Sequence, residues 1–162
     1  MSITYPATLH KEERICSHKL IEAIFSSNRS RSMSAFPLRV VYMPLDDGEN
    51  GGSPCEDKGN GQPVRPLPKA KMLISVPKKH FKRAVKRNRV KRQVREAYRK
   101  NKSIIADKAV ALAFIWTDGR LYETRQVEER VINLLTRVRE KLEKCQETRH
   151  PDTLQGPISQ QG

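Results

Sequence analysis

The sequence has few cysteines, few aromatic residues and no long apolar segment. Its 162 residues contain three scattered cysteines, Cys16, Cys55 and Cys145, with no CxxC pair and no nearby histidine cluster. This pattern argues against a disulfide framework and a zinc site, and it favours reduced thiols. No window approaches the roughly 20 apolar residues of a membrane helix, and the start of the chain lacks the pattern of a secretory signal. We therefore expect a cytoplasmic protein that does not bind membranes.

Hydrophobic residues make up 36% of the chain and aromatic residues 6%, so we expect one domain with a modest core. Residues 44–68 hold five of the ten prolines and five of the eight glycines, with hardly any large apolar residue. That composition predicts a surface insertion that is disordered or loosely held. The domain is predicted to span residues 1–145, and residues 146–162 are predicted to form a disordered tail.

Acidic residues are almost absent between residues 69 and 102, where 15 lysines and arginines accompany a single acid, Glu96. The rest of the chain carries 17 basic and 17 acidic side chains, so the net charge of +14 comes from this segment. A charge so localised favours a polyanionic partner, with nucleic acid first. A solvated helix face and a basic membrane-surface helix are weaker alternatives, because the first normally intersperses acids and the second needs a broad apolar face.

The residue sets of an autonomous nuclease are also missing. Such an enzyme needs paired carboxylates for a metal ion, or a histidine pair for acid and base catalysis. The four histidines lie in four different segments, and no cluster of Asp and Glu accompanies the basic segment. No glycine-rich phosphate-binding loop is present. We therefore predict no catalytic residue and no metal ligand in the protein itself.

Hydrophobic periodicity predicts an α+β domain in the order α, β, β, α, β, α, with a possible extra short strand. Ser17 precedes a short helix that ends near Asn28 and has an apolar stripe of Leu20, Ile21, Ile24 and Phe25. From Phe36 the pattern alternates, which predicts a strand with one face formed by Phe36, Leu38, Val40 and Tyr42 and the other by Pro37, Arg39 and Val41. Further strands are predicted over residues 71–76 and 109–116.

Two longer helices complete the predicted fold. The basic helix spans residues 83–100 and buries a stripe of Val90, Val94, Ala97 and Tyr98. The last helix begins at about Thr124 and has a long apolar face of Val127, Val131, Leu134, Leu135, Val138 and Leu142. We expect a small, mostly antiparallel sheet that is covered by helices mostly on one face.

The basic helix has the properties of an anion-binding element. Arg87, Lys91 and Arg95 lie four residues apart along one edge, and the polar face is widened by Asn88, Arg89, Arg92 and Arg99. Like charges at this spacing repel each other, so the helix needs an anion. Guanidinium groups bind phosphate bidentately or stack on bases, which suits RNA as well as DNA. Asn88 is either a solvated residue or a contact to sugar, base or a hydrated metal ion.

The run KRNRVKRQVREAYR, from Lys86 to Arg99, resembles the RNR signature of the bacterial ribonuclease P protein subunit. The preceding ISVPKK, the opening helix and the order of elements extend the resemblance over most of residues 10–145. It implies a left-handed βαβ crossover, as in one class of ribosomal protein domain. It also implies an accessory subunit of a ribonucleoprotein whose RNA removes the 5′ leader of precursor tRNA.

The same resemblance implies two binding sites. The catalytic RNA would contact the basic helix and the loop before it, at Lys78, Lys79, Arg87, Asn88, Arg89, Lys91, Arg92 and Arg95. The leader of precursor tRNA would lie in a cleft between the first helix and the sheet, at Phe25, Phe36 and Arg39. Any Mg²⁺ would be held mainly by the RNA partner, with outer-sphere help from Asn88.

This sequence departs from the family pattern at three places. Ile21 and Arg39 occupy cleft positions where the family often has aromatic residues, so leader binding here is expected to rely more on charge. The loop from Lys78 to Arg87 is one residue longer than usual, and the insertion at residues 44–68 lies outside the common pattern.

Two other functions stay open at this point. A structural RNA-binding protein, such as a ribosomal protein, would share the small sheet and the basic helix but would bind precursor and mature tRNA complexes alike. A DNA-binding function is less favoured, because a strand and a Lys-rich loop precede the basic helix in place of a helix and a tight turn.

Overall fold

The computed structural model describes residues 8–45 and 69–147, and these ranges form a mixed α+β fold. Its helices and strands are α1 His18–Ser26, β1 Arg31–Ala35, β2 Leu38–Pro44, β3 Ala70–Ser75, α2 Ala84–Asn101, β4 Val110–Trp116 and α3 Thr124–Glu147. The predicted α+β class is confirmed. Of the predicted insertion, residues 46–68 lie outside the described residues, as do residues 148–162 of the predicted tail. Pro44 was predicted to begin the insertion, but it ends β2 in register with Val110.

The four strands form one sheet in the order β1-β2-β4-β3. β2 is antiparallel to both β1 and β4, whereas β3 is parallel to β4, so the sheet is mostly antiparallel as predicted. α2 connects the parallel pair and forms a βαβ unit, and the hand of this crossover stays a prediction. β4 has a strand on each side and helices over both of its faces, which explains its almost continuous burial.

β1 is the extra short strand that the sequence left open. It pairs with β2 through contacts such as Met33 with Val40, and Phe36 and Pro37 form the turn between the two strands. The prediction that a strand begins at Phe36 was therefore wrong by two residues. β1 lies at the edge of the sheet and its sequence, RSMSA, is mostly polar and exposed, so hydrophobic periodicity gave little signal for it.

The sheet separates two apolar clusters, and alternation along β2 assigns its side chains to them. Leu38, Val40 and Tyr42 belong to the larger cluster, between the sheet and the helices α2 and α3. This cluster contains every residue of the two predicted apolar stripes: Val90, Val94, Ala97, Tyr98, Val127, Val131, Leu134, Leu135, Val138 and Leu142. Met43 belongs to the smaller cluster, where it joins Ile24 of α1.

Within the described ranges, the structure contains no helix that is long and apolar enough to span a membrane. α1 begins one residue after Ser17 as predicted, although the Ser17 side chain makes no capping hydrogen bond. α1 ends at Ser26, two residues before the predicted end, and α2 is shifted by one residue from its predicted span. The two faces of the sheet are thus covered by α1 on one side and by α2 and α3 on the other.

Candidate nucleic-acid interface

α2 presents its charges to solvent because its buried stripe fixes the rotation of the helix. Val90 and Val94 are fully buried, and the arginines at positions 89 and 92 are exposed on the far side. Two concave regions flank this exposed side, and Arg92 lines both of them. The basic residues therefore form a shaped surface rather than an even distribution of charge around the helix.

The first concave region, here called the α3 groove, lies between α2 and the first turn of α3. Its volume is about 550 Å³, and it is lined by Val85, Asn88, Arg89, Arg92, Gln93 and Thr124. Gln93 joins the two helices, because its Nε2 donates hydrogen bonds to the carbonyl oxygen of Tyr122 at 3.0 Å and to Thr124 Oγ1 at 3.3 Å. This link fixes the start of α3 beside the asparagine and arginines of α2.

The second concave region, here called the arginine pocket, lies between α2 and the segment before α1, which comprises residues 8–17. Its volume is about 480 Å³, and it is lined by Thr8, Leu9, Arg14, Arg92, Arg95, Glu96 and Arg99. Arg99 donates two hydrogen bonds to Glu96, from Nη2 to Oε1 at 2.6 Å and from Nε to Oε2 at 2.9 Å. These hydrogen bonds are the main cause that lowers the pKa of Glu96.

Arg14 is the residue of this pocket that sequence reasoning missed. It lies far from α2 in the chain, at the end of the mixed-charge stretch KEER, and it belongs to no run of basic residues and to no apolar period. Its position beside Arg92 and Arg95 depends on the pairing of its segment with β3, where Arg14 bridges to Met72 and Ile15 N donates to the Met72 carbonyl oxygen at 2.9 Å. No local sequence signal reveals such a contact.

Arg87 occupies a different environment from the other predicted RNA-binding arginines. Its Nη1 donates hydrogen bonds to the carbonyl oxygens of Phe81 at 2.7 Å and Lys82 at 2.8 Å. Phe81 is itself buried in the larger apolar cluster. The loop before α2 is therefore held both by this buried ring and by the hydrogen bonds from Arg87. Arg87 lines neither concave region, and its guanidinium supports the loop that carries Lys78 and Lys79.

The structure thus divides the predicted RNA-binding residues among three environments. Asn88, Arg89, Arg92 and Arg95 line the concave regions. Lys78 and Lys79 are exposed in the turn before α2, and Arg87 and Lys91 are half-buried. Contact of each residue with RNA stays a prediction.

Two of the predicted leader-binding residues lie on the α1 side of the sheet. Phe25 is in the last turn of α1, with 52% of its surface exposed. Arg39 is exposed, stands in register with Ile115 of β4, and its Nη2 donates a hydrogen bond to Ser32 Oγ at 3.0 Å. The neighbouring position Val41 packs in the cluster beneath α1, so Arg39 and Ile115 form the next row of the same face.

Phe36 is not part of this face. Its ring contacts Tyr122 edge to face with 6.3 Å between centroids, and Tyr122 contacts Trp116 in the same manner at 5.8 Å. Tyr122 packs against the larger cluster, on the α2 and α3 side. The structure therefore does not bring Phe25, Phe36 and Arg39 together, because the turn directs the Phe36 ring to the face opposite α1.

A short hydrogen bond orders the loop that carries Tyr122. The Tyr122 hydroxyl donates to Asp118 Oδ2 at 2.6 Å, and the backbone N–H of Gly119 donates to Asp118 Oδ1 at 2.7 Å. The first of these hydrogen bonds is the main cause that lowers the pKa of Asp118 and raises the pKa of Tyr122. Asp118 and Gly119 thus lie in the bent loop after β4, where the sequence predicted a turn.

In residues 8–45 and 69–147, no group of three or more His, Cys, Asp and Glu side chains is placed to hold a metal ion. Cys16 and Cys145 are exposed and form no disulfide. Cys55 lies outside the described residues.

Comparison with known proteins gives consistent matches in sequence and in structure. The family model described as Ribonuclease P matches residues 9–139. The ribonuclease P protein component of Porphyromonas gingivalis is 35% identical over 144 residues, which cover 84% of this chain and 91% of that protein. The RNase P protein of Staphylococcus aureus matches with a TM-score of 0.57 and 21% identity, over 78% of this chain and 94% of that chain. The RNase P protein from Thermotoga maritima matches with a TM-score of 0.54 and 24% identity, over 77% of this chain and 96% of that chain.

Proposed function

The chain belongs to the ribonuclease P protein family, and from this membership we propose how it uses the two sides of its fold. It is the accessory protein subunit of an endoribonuclease in tRNA processing, and its partner is the ribonuclease P RNA. We place the catalytic RNA on the exposed side of α2 and the 5′ leader of precursor tRNA on the α1 side of the sheet. The RNA performs the hydrolysis, and the protein contributes binding and orientation.

The observation that carries this proposal is the charge distribution along α2. Asn88, Arg89, Arg92 and Arg95 line two adjoining concave regions, and Glu96, the single acid in α2, is hydrogen-bonded to Arg99. A concave surface with this excess of guanidinium groups fits a folded sugar-phosphate backbone. Each phosphate that it neutralises releases condensed counterions, which makes binding strong at low salt and steeply salt-dependent.

The leader site rests on a smaller set of residues. Phe25 exposes a ring on which a base can stack, and this interaction is worth about 1 to 3 kcal/mol per base and tolerates any sequence. Arg39 supplies a positive charge on the same side of the sheet, and its hydrogen bond to Ser32 limits the positions of the guanidinium. Charge and stacking without base-specific contacts suit a leader whose sequence differs from one precursor to the next.

Mg²⁺ belongs to this proposal as an ion held mainly by RNA phosphates. Asn88 is exposed in the α3 groove beside Arg89 and Arg92, where its side-chain carbonyl oxygen is able to accept a hydrogen bond from a water of a hydrated ion. Such an outer-sphere contact leaves direct coordination to the RNA. An Asn88→Ala variant is then expected to need more Mg²⁺ for half-maximal cleavage, and an unchanged midpoint would remove this role.

The test is cleavage of precursor tRNA at low Mg²⁺ by a cognate ribonuclease P RNA, with and without the protein. Stimulation is expected only when that RNA is present, and the protein alone is expected to cleave nothing. Tight RNA binding without stimulation, together with equal binding of complexes with precursor and mature tRNA, would instead identify a structural RNA-binding protein. Preference for duplex DNA over structured RNA would overturn both assignments.

A further inference from the structure

We infer that the arginine pocket binds a backbone phosphate of the catalytic RNA and that Arg14, from the segment before α1, is one of its phosphate ligands. This inference rests on the proposed function, because it assumes that α2 faces that RNA. It extends the RNA-binding surface beyond α2 to a second part of the chain. It also gives the buried ion pair behind that segment a positioning role.

The composition of the pocket points to an anion. Four guanidinium groups, those of Arg14, Arg92, Arg95 and Arg99, line one concave region of about 480 Å³. Glu96 is the single carboxylate among the described residues that line it, and both of its oxygens accept hydrogen bonds from Arg99. The charge of Arg14, Arg92 and Arg95 therefore remains without a matching acid in the lining. A phosphate group offers the oxygens that planar guanidinium groups bind bidentately.

The segment that carries Arg14 is held in place by a buried ion pair. Lys102 Nζ lies 2.8 Å from Glu13 Oε1, and the two side chains are only 8% and 9% exposed. The same Nζ donates a hydrogen bond to the carbonyl oxygen of Thr8 at 2.6 Å, and the backbone N–H of His10 donates to Glu13 Oε2 at 2.7 Å. These contacts attach the segment to the residue that follows α2.

A second attachment fixes the other end of the segment. Arg14 forms a β-bridge with Met72 of β3. The backbone N–H of the next residue, Ile15, donates a hydrogen bond to the Met72 carbonyl oxygen. The backbone that carries Arg14 is thus held both by β3 and by Lys102. A guanidinium presented from a fixed backbone loses less conformational entropy when it binds. Glu13 and Lys102 act here as positioning residues, because both side chains are buried and neither lines the pocket.

Continuity with the rest of the surface selects RNA over a free phosphate ion. Arg92 lines both the arginine pocket and the α3 groove, so the two concave regions adjoin along α2. A polynucleotide can place successive phosphates in both regions, whereas a single ion occupies one. The catalytic RNA is therefore the expected ligand, and inorganic phosphate is the probe that tests this choice.

The first experiment compares Arg14→Gln with the wild-type protein in binding to the catalytic RNA over a range of salt concentrations. Loss of one phosphate contact is expected to weaken binding several-fold and to reduce the slope of log K against log salt by about 0.7 to 0.9. Lys19→Gln is the matched control, because Lys19 is an exposed cation on α1 and lines neither concave region. Equal slopes for Arg14→Gln and the wild type would overturn the inference.

The source of the phosphate is tested in the same assay. Precursor tRNA alone is expected to bind wild-type and Arg14→Gln proteins equally. Inorganic phosphate at millimolar concentration is expected to bind neither protein measurably, because a single ion does not span both concave regions. A loss confined to inorganic phosphate or to precursor tRNA would contradict the assignment to the catalytic RNA. If the wild-type protein neither binds that RNA nor stimulates cleavage, the proposed function itself fails; if it does both, the Arg14 result judges this inference alone.

The second experiment tests the positioning role with the double variant Glu13→Gln/Lys102→Met. This variant removes the ion pair without changing the net charge and without leaving one charge buried alone. Folding is checked by circular dichroism, and the variant is then compared with the wild type for RNA affinity. Several-fold weaker binding by a folded protein of unchanged charge is expected. Wild-type affinity in the folded double variant would show that the ion pair does not position Arg14.

Discussion

The rings of Phe36 and Tyr122 meet edge to face, with 6.3 Å between their centroids, on the side of the sheet opposite α1. Tyr122 in turn contacts Trp116, so three aromatic rings run from the turn between β1 and β2 to the larger apolar cluster. Phe36 is 61% exposed, yet this exposure is on the side of α2 and α3. An exposed aromatic residue is therefore not by itself a candidate for leader binding, because the face on which it lies matters.

Phe36→Ala is expected to lower stability modestly and to leave leader recognition unchanged. An aromatic pair of this geometry contributes about 0.5 to 1.5 kcal/mol beyond its buried area. Chemical denaturation measures this loss, and binding to complexes with precursor and mature tRNA measures recognition. A selective loss of precursor binding would return Phe36 to the leader site.

Phe25→Ala is expected to have the converse effect. Its half-exposed ring adds little to the core, so the free energy of unfolding should change little. Loss of one stacked base at about 1 to 3 kcal/mol should weaken precursor binding roughly 5- to 150-fold without changing the binding of mature tRNA. Equal losses for precursor and mature tRNA would count against a leader site on the α1 side, with Phe36→Ala as the matched aromatic control.

The contrast between these two residues shows what the sequence alone can predict. The stripes that include Val94 and Leu135 are local patterns, because the helical period decides which residues are buried, and both were predicted correctly. The edge strand β1 was left open, since an exposed strand needs few apolar residues. Arg14 lies in the arginine pocket only because its segment pairs with β3, a contact between distant parts of the chain. The hydrogen-bond partners of Arg87 are backbone carbonyl oxygens, which have no sequence signature.

Arg87→Lys is expected to weaken binding of the catalytic RNA although it keeps the positive charge. The Arg87 guanidinium holds the carbonyl oxygens of Phe81 and Lys82 from one nitrogen, and an ammonium on a flexible stem does not reproduce that geometry. The loop with Lys78 and Lys79 should become more mobile, which raises the entropy cost of binding. Hydrogen exchange of residues 78–83 measures the mobility.

Arg92→Lys is the control for that experiment, because Arg92 is exposed between the two concave regions and no described carbonyl holds it. It is expected to lose RNA affinity with no change in exchange at residues 78–83. Unchanged exchange in Arg87→Lys would show that Arg87 does not order the loop.

The hydrogen bond between Tyr122 and Asp118 predicts a pH-dependent contribution to stability. Because this bond lowers the pKa of Asp118 in the folded protein, its contribution is present above the unfolded value of about 3.8 and is lost as the pH falls through the lower folded value. Tyr122→Phe is therefore expected to be less stable than the wild type near neutral pH, and the difference should shrink in strong acid. A difference in Tm that stays constant from neutral to acid pH would contradict this origin.

The buried pair of Lys102 and Glu13 predicts that one substitution is worse than two. Lys102→Met leaves the Glu13 carboxylate buried without its 2.8 Å partner, and breaking such a pair typically costs about 3 to 5 kcal/mol. Adding Glu13→Gln removes the isolated charge, so the double variant should regain part of that stability even though it has fewer native polar contacts. Urea denaturation of the wild type, both single variants and the double variant gives the coupling free energy directly. Additive losses would mean that the two charges do not interact in the folded protein, and the segment before α1 would then be held mainly by its pairing with β3.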